Sequence, residues 1–446
     1  MWGFITCMND ILIPHLKSLY QLSYLQSMLV QFCFFGAYFI GSLIYFLISY
    51  FNGDPINKIG YKNGILLGLL VSAIGCGLFY PAAVSSKYGI FLVALFTLGL
   101  GFTLLQITAN AYVSLLGSEE SASSRLNLTQ AFNSFGTTIA PVFGGFLILQ
   151  FFSDHGQISA NSTKVPYLIF AGIFILLGLL IYKSKLPAFE AEETEEKGFG
   201  ALKFPQLKRG IFGIFFYVGG EVAIGSFIIS FLGQHNVAGL SAVVAKNYLA
   251  LYWGGAMIGR FVGSISLNQD LSTGKKTLYM VVTSALVFLL ILSIVNLTFA
   301  QIKPFILFIV LNLAGFVLGR SAPARTLFLF AGVCIVLLLT CVFSSGNISM
   351  WTILGIGLFN SIMYSNIYTL AISGLGKYTS QGSSLLVMAI LGGAIVPLIQ
   401  GAVADAIGIQ KALFIPVICY LYIAYFGYFC WKNVKHTGTA QIRGGH

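Results

Sequence analysis

An all-helical fold that crosses a membrane many times is predicted by three properties of this sequence. Of its 446 residues, 57% are hydrophobic and only 8% are charged, and the mean hydropathy is +0.88. That is more apolar material than one water-soluble core can hide. The apolar residues come in runs of about 17 to 30, whereas a barrel strand would need only about ten. Period-two alternation is absent, so the spans are read as helices, which satisfy their own backbone hydrogen bonds in hydrocarbon.

Taken in order, the runs predict spans near 1–16, 24–50, 63–84, 88–116, 125–152 and 166–182. The first, MWGFITCMNDILIP, ends before Lys17 and is shorter than the roughly 20 residues that cross a bilayer, so either part of this span is missing from the start, the favoured expectation, or the helix tilts little and begins at the headgroups. Because it carries Asn9-Asp10 and no basic leader, it is not read as a cleaved signal peptide. After the sixth span comes the polar stretch KSKLPAFEAEETEEKGFGALKFPQLKRG, with five Glu and six Lys or Arg. It reads as a solvated linker, residues 183–208, between an N-terminal bundle (1–182) and a C-terminal bundle (209–446). Eight further spans follow, near 209–233, 245–267, 277–298, 303–319, 326–345, 350–373, 380–403 and 411–431, and six plus eight makes fourteen.

Charge orients them. If the N-terminus lies inside, 17 of the 24 Lys and Arg residues fall in inner loops or ends and six in outer ones, with Arg260 left inside a span. This bias predicts that both termini are cytoplasmic. The net charge of +11 is scattered singly through loops, so nucleic acid is not an expected partner; the lipid bilayer is. All seven cysteines fall in apolar segments without CxxC or metal-ligand spacing, and they are expected to be reduced packing residues. No cofactor or metal site is expected.

Only two of the thirteen acidic residues, Asp10 and Glu221, sit well inside apolar runs, one in each half. A central Asp costs about 2.5 to 3.5 kcal/mol on insertion scales. Either each acid pins two helices together, or both line a membrane cavity where an ion, a substrate or both meet them. Amides gather in the same spans. Gln106 and Asn110 are spaced i, i+4 on the fourth, and Asn127, Gln130, Asn133 and Thr137 form a stripe on the fifth. In the second half Asn360 and Tyr364 share a face, and Trp253 adds an aromatic plate. Amides both donate and accept, matching vicinal hydroxyls, and flat rings cover the apolar face of a pyranose, so a sugar fits. The alternative is that these groups glue helices together, at about 0.6 kcal/mol per contact. Arg260, between Gly259 and Gly263, is assigned to a gate or helix-end contact. The tight loop GDPINKIGYK supplies Asp54 as a cap and Lys62 at the inner face.

These residues carry a resemblance. GDPINKIGYK resembles the loop between the second and third helices of the major facilitator superfamily. The strings MNDILIPHL, QFCFFGAYF, LFYPAA, LQITANAYVSLLG, RLNLTQAFNSFGT, YVGGEVAIGSF, YWGGAMIGRFVGS, GLFNSIMYSNIYTLAI and GSSLLVMAILGGAIVPLIQGAVAD look like its fucose permease and glucose/galactose transporter family. The likeness runs in order along nearly the whole chain. It implies two six-helix bundles and cation-driven monosaccharide uptake through the inner membrane. In fucose–proton members an Asp in the first span and a Glu in the fourth matter; the first falls on Asp10, the second on Gln106, which cannot carry a proton. That departure moves the likeness toward the glucose/galactose branch. A second departure is length, since about two additional helices lie near 277–320, expected to be peripheral.

The expectation is thus a non-enzymatic, monomeric symporter with Asp10 and Glu221 in cation coupling. Substrate contacts fall to Asp10, Gln106, Asn110, Gln130, Asn133, Glu221, Trp253, Asn360 and Tyr364, and structural or gating roles to Asp54, Lys62 and Arg260. The residues leave the coupling ion open between Na+ and H+. A major facilitator exporter of a non-sugar small molecule and a sugar sensor on the same scaffold are the rival readings.

Overall fold

A computed structural model describes residues 1–52, 55–115, 119–152, 159–187, 200–267, 272–375 and 379–433, and these residues contain helices and no strand. In the first half the spans are α1 (Trp2–Tyr20), α2 (Leu29–Asn52, led in by the turn Tyr24–Ser27), α3 (Tyr61–Gly77, extended by Phe79–Ser85), α4 (Tyr88–Leu115), α5 (Glu119–Ile139, extended by the π-helical segments Ala140–Gly144 and Leu147–Phe151) and α6 (Lys164–Lys183). In the second half they are α7 (Pro205–Leu232), α8 (Ala242–Leu267), α9 (Thr273–Ile294), α10 (Phe305–Gly319), α11 (Pro323–Phe343), α12 (Gly346–Asn360 and Met363–Ile372), α13 (Thr379–Met388 and Gly392–Ile407) and α14 (Phe414–Asn433).

Among the described residues, eleven helices are long and apolar enough to cross a membrane. The remaining three spans fall short for physical reasons. Phe305–Gly319 is short, while α1 carries Asn9, Asp10, His15 and Lys17, and α8 carries Lys246, Asn247 and Arg260. Eleven plus three matches the fourteen expected runs. The corrections are at the ends: α1 reaches Tyr20 rather than residue 16, and α7 begins at Pro205, inside the stretch expected to be linker. Proline suits a first helical turn because its missing N–H has no partner to lose there. At 1.5 Å per residue, the 19 residues of α1 are about 28 Å long.

The two halves pack by the same scheme. In the first, α3 lies against α4 and α6, α2 against α4, and α1 against α5; in the second, α11 lies against α12 and α14, α8 against α12, and α7 against α13. Helices α9 and α10 stand outside this correspondence. α9 packs on α8, α10 packs on α11 and α12, and both leave leucines and valines such as Leu286, Leu289, Leu307 and Val310 exposed, as a lipid-facing helix would. The halves meet where α2 runs along α13, α5 along α8 and α1 against α7.

The turns follow the loop chemistry. Gly60, before α3, has φ 77° and Gly408, after α13, has φ 89°, a region in which a side chain is strained. Just past Gly60, the Lys62 ammonium donates to the carbonyls of Tyr182 and Ser184, both at 2.8 Å, and so caps the end of α6. Asp54, the expected cap in the same loop, lies outside the described residues.

Candidate functional site

The midpoint of α1 carries Asp10 to where the two halves touch, and only 3% of it is exposed. Its carboxylate is held by neutral donors from four helices. Gln31 Nε2 of α2 and Ser226 Oγ of α7 each donate to Oδ1 at 3.2 Å. Trp253 Nε1 of α8 donates to Oδ2 at 3.2 Å, and Cys7 Sγ, one turn earlier on α1, approaches Oδ2 at 3.6 Å. Gln31 Nε2 also reaches Ser226 Oγ at 2.9 Å, and Gln31 Oε1 accepts from Asn9 Nδ2 at 3.3 Å. Buried polar groups must find partners, and this network supplies them around one acid. Pro14 adds to the polarity of the site, because it has no N–H to give the Asp10 carbonyl one turn below.

One backbone detail makes room. A Cβ at Gly225 would lie 3.0 Å from the Trp253 ring and 3.3 Å from Asp10 Oδ2. Glycine there lets α7 approach without displacing the indole from the carboxylate.

Glu221 sits in different company. Its Oε1 accepts from the Tyr217 hydroxyl at 2.7 Å, and Arg260 Nη2 lies 3.8 Å away. The same guanidinium donates to the Ser361 carbonyl at 3.2 Å and to the Ser134 hydroxyl on α5. Arg260 therefore spans both halves, with Ser134 in the first and Glu221 and Ser361 in the second. Among the described residues Arg260–Glu221 is the ion pair, and Asp10 has no cation partner. The two acids that look alike in the sequence differ in this respect.

The amides divide as well. Gln106 is half-buried near Tyr38, whose hydroxyl accepts from Trp2 Nε1 at 3.1 Å. Gln130 and Asn133 are half-buried on α5, with Asn133 packed against Gly3 of α1; Thr137 is buried and donates to the Ser134 carbonyl. Tyr364 is partly exposed and sits in a row of rings with Tyr217 and Tyr368, 6.2 Å to each. Asn360 sits inside the second half. It is fully buried, donates to the Tyr252 hydroxyl at 2.9 Å and accepts from the Tyr420 hydroxyl, so both ends of its amide are used inside the second half. The side chain of Asn110 lies outside the described residues, as does that of Asn127.

Sequence reasoning missed Gln31, Ser226 and Lys246. Gln31 is an amide inside the apolar run LVQFCFF, the same signal that singled out Asp10. Ser226 gives no signal of its own. Lys246, counted with the outer charges, is buried at 4% exposure, with its ammonium over Phe146 and 3.5 Å from the Val142 carbonyl in the π-helical part of α5. All seven cysteines are free thiols, six of them buried.

The halves are clasped at the ends that carry Tyr24 and Asp405. Asp405 of α13 accepts from the backbone N–H groups of Tyr24 and Leu25, at 2.8 and 2.9 Å, at the start of the turn leading into α2. Tyr24 also stacks on Phe227 of α7 at 5.8 Å, with the Lys17 ammonium 4.3 Å from the Tyr24 ring. Asp10 lies below this closure.

Comparison with known proteins adds four findings. The model of the Major Facilitator Superfamily matches residues 3–324. The chain is 47% identical over 431 residues to a glucose/galactose transporter of Brucella abortus, covering 96% of this chain and 90% of that protein. It is 31% identical over 454 residues to the L-fucose-proton symporter of Escherichia coli, covering 96% and 90%. The solved structure of FucP, a major facilitator transporter in the outward conformation, superposes with a TM-score of 0.66 at 30% identity, over 96% of this chain and 95% of that one.

Proposed function

The chain belongs to the major facilitator superfamily, and from that membership and the site geometry we propose that it is a secondary active transporter taking up a monosaccharide by alternating access. Glucose or galactose is the favoured substrate, following the Brucella relative, and a proton the favoured coupling ion, following the Escherichia coli one. The observation that carries the reading is Asp10: a buried carboxyl with no cation partner, held by neutral donors from both halves. Such a group can gain or lose a proton without breaking an ion pair, and either event is felt by both halves at once. Coupling requires just that, because cation and sugar must each favour the same state.

In this reading residues 1–182 and 209–446 are two bundles that rock about the linker 183–208. Gln106, Asn110, Gln130, Asn133, Trp253 and Tyr364 contact the sugar, and Asn360 supports Tyr252 from within its bundle. Arg260, held by Glu221 within its own bundle, ties to Ser134 of the other bundle, which moves Glu221 from cation coupling to conformational control. The protein works as a monomer in the inner membrane with both termini cytoplasmic, and it carries out no covalent chemistry. The clasped outer ends support an outward-closed state.

Uptake of labelled glucose, galactose and fucose into vesicles, with imposed proton or sodium gradients, tests this. Concentrative uptake of a hexose driven by the proton gradient is expected, and Asp10→Asn is expected to abolish accumulation. Equilibration that ignores both gradients would remove the symport reading, and drive by sodium alone would replace the ion.

A further inference from the structure

The network around Asp10 is complete for one charge state only. Every group that touches the carboxylate gives it a hydrogen: the Gln31 amide, the Ser226 hydroxyl, the Trp253 indole and the Cys7 thiol. A neutral carboxyl carries its own hydrogen and needs an acceptor. Indole nitrogen cannot accept, and a thiol accepts only weakly. Ser226 can, by rotating its hydroxyl. Gln31 can, by turning its amide so that Oε1 faces Asp10 and Nε2 faces Asn9. The structure is prepared for the second change, because Asn9 Oδ1 is buried without a partner and would accept from Gln31 Nε2 once the Asn9 amide turned as well. The chain Asn9, Gln31, Asp10, Ser226 thus has two hydrogen-bonding patterns, one for each state of Asp10, that differ by hydroxyl rotation and amide turns with the backbone in place.

We propose that Gln31 and Ser226 are positioning residues that read the protonation state of Asp10 and pass it between the bundles. Gln31 belongs to the first bundle and Ser226 to the second, and the 2.9 Å contact between them is direct. In the charged state Ser226 donates to Asp10 and accepts from Gln31; in the neutral state Ser226 accepts from Asp10 and donates to the turned Gln31 amide. Proton binding therefore rewrites a contact between α2 and α7, two helices from opposite bundles. The other titratable groups that sense this charge are Cys7 on α1, Glu221 on α7 and Tyr252 on α8, while α2 contributes the neutral Gln31. This inference rests on the proton-coupled reading above.

The test is the pH profile of sugar uptake in vesicles for the full-length protein, with Ser226→Ala, Ser226→Thr and Gln31→Met. Ser226→Ala removes a donor to the charged form, so the pH midpoint of uptake is expected to move up by about one unit. Ser226→Thr, which keeps the hydroxyl, is expected to restore the midpoint. Gln31→Met keeps the volume and removes the relay, and it is expected to lower the number of protons moved per sugar. A merely structural role predicts a uniform loss of rate with an unshifted midpoint, and that result with both Ser226→Ala and Gln31→Met would overturn the inference. If Ser226→Ala does not fold, as judged by its elution as a single species in detergent, Gln31→Met decides. Absence of any proton dependence in the unaltered protein would defeat the coupling reading and this inference together, whereas a proton-driven parent with unshifted variants defeats the inference alone.

Discussion

At the scale of single residues, the informative contrast is between Asp10 and Glu221. Both are acids in apolar runs, and burying either without compensation is costly. Glu221 is compensated by a guanidinium and a phenol, Asp10 by neutral donors alone. The sequence singled out both, since a charged residue in a hydrophobic run is visible without any structure, but it did not show that Arg260, placed at a gate or helix end, reaches Glu221. Gly225 is a further residue whose role only geometry reveals. Gly225→Ala would push a methyl group against the Trp253 ring and Asp10 Oδ2. Transport is expected to fall by roughly tenfold, as small misplacements in a tuned site do. Initial uptake rates normalised to membrane-inserted protein check this, and unchanged rates would show that the indole contact is dispensable.

Among the helices and their ends, α13 and the turn leading into α2 form a clasp. The Asp405 carboxylate sits at a helical N-terminus, where two backbone N–H groups would otherwise lack partners and the peptide dipoles favour negative charge. Ser23 and Gln26 complete the cap within the chain segment itself. In the proposed alternating-access reading this contact belongs to the closed outer face and is broken when that face opens. Asp405→Ala is expected to cost the closed state about 1 kcal/mol, a roughly fivefold shift in population. Labelling of a cysteine introduced at Met28 by a membrane-impermeant reagent should speed up accordingly; an unchanged rate would mean that the clasp contributes nothing. The same scale explains why α1 and α8 fall below the apolar threshold that most spans clear. Asp10 of α1 and Arg260 of α8 are among those polar residues, so segments weak by hydropathy carry much of the candidate site.

The whole molecule repeats one packing scheme in its two halves, and α9 and α10 stand outside it, which supports reading them as an added pair. The ends of that pair lie together: the Ser321 hydroxyl donates to the Ser266 carbonyl at 2.6 Å, and Lys276 reaches Ser321 at 3.0 Å. Excising residues 268–320 would therefore join α8 to α11 across a short gap. The shortened protein is expected to insert and to retain uptake within about tenfold, since the excised helices hold none of the polar groups around Asp10. Failure to insert would show that the pair is part of the folding core. Spans, their order and the bias of basic residues between loops were legible in the sequence by itself, because hydropathy and charge are local properties that each segment carries alone. So were Asp10, Glu221 and the amide-bearing faces. The tertiary structure alone decided which of those groups meet. Ser226 and Trp253 lie 216 and 243 residues from Asp10 along the chain, and Asn360 turned inward to two tyrosines. Such contacts arise where helices from distant segments pack, a property that no single segment holds.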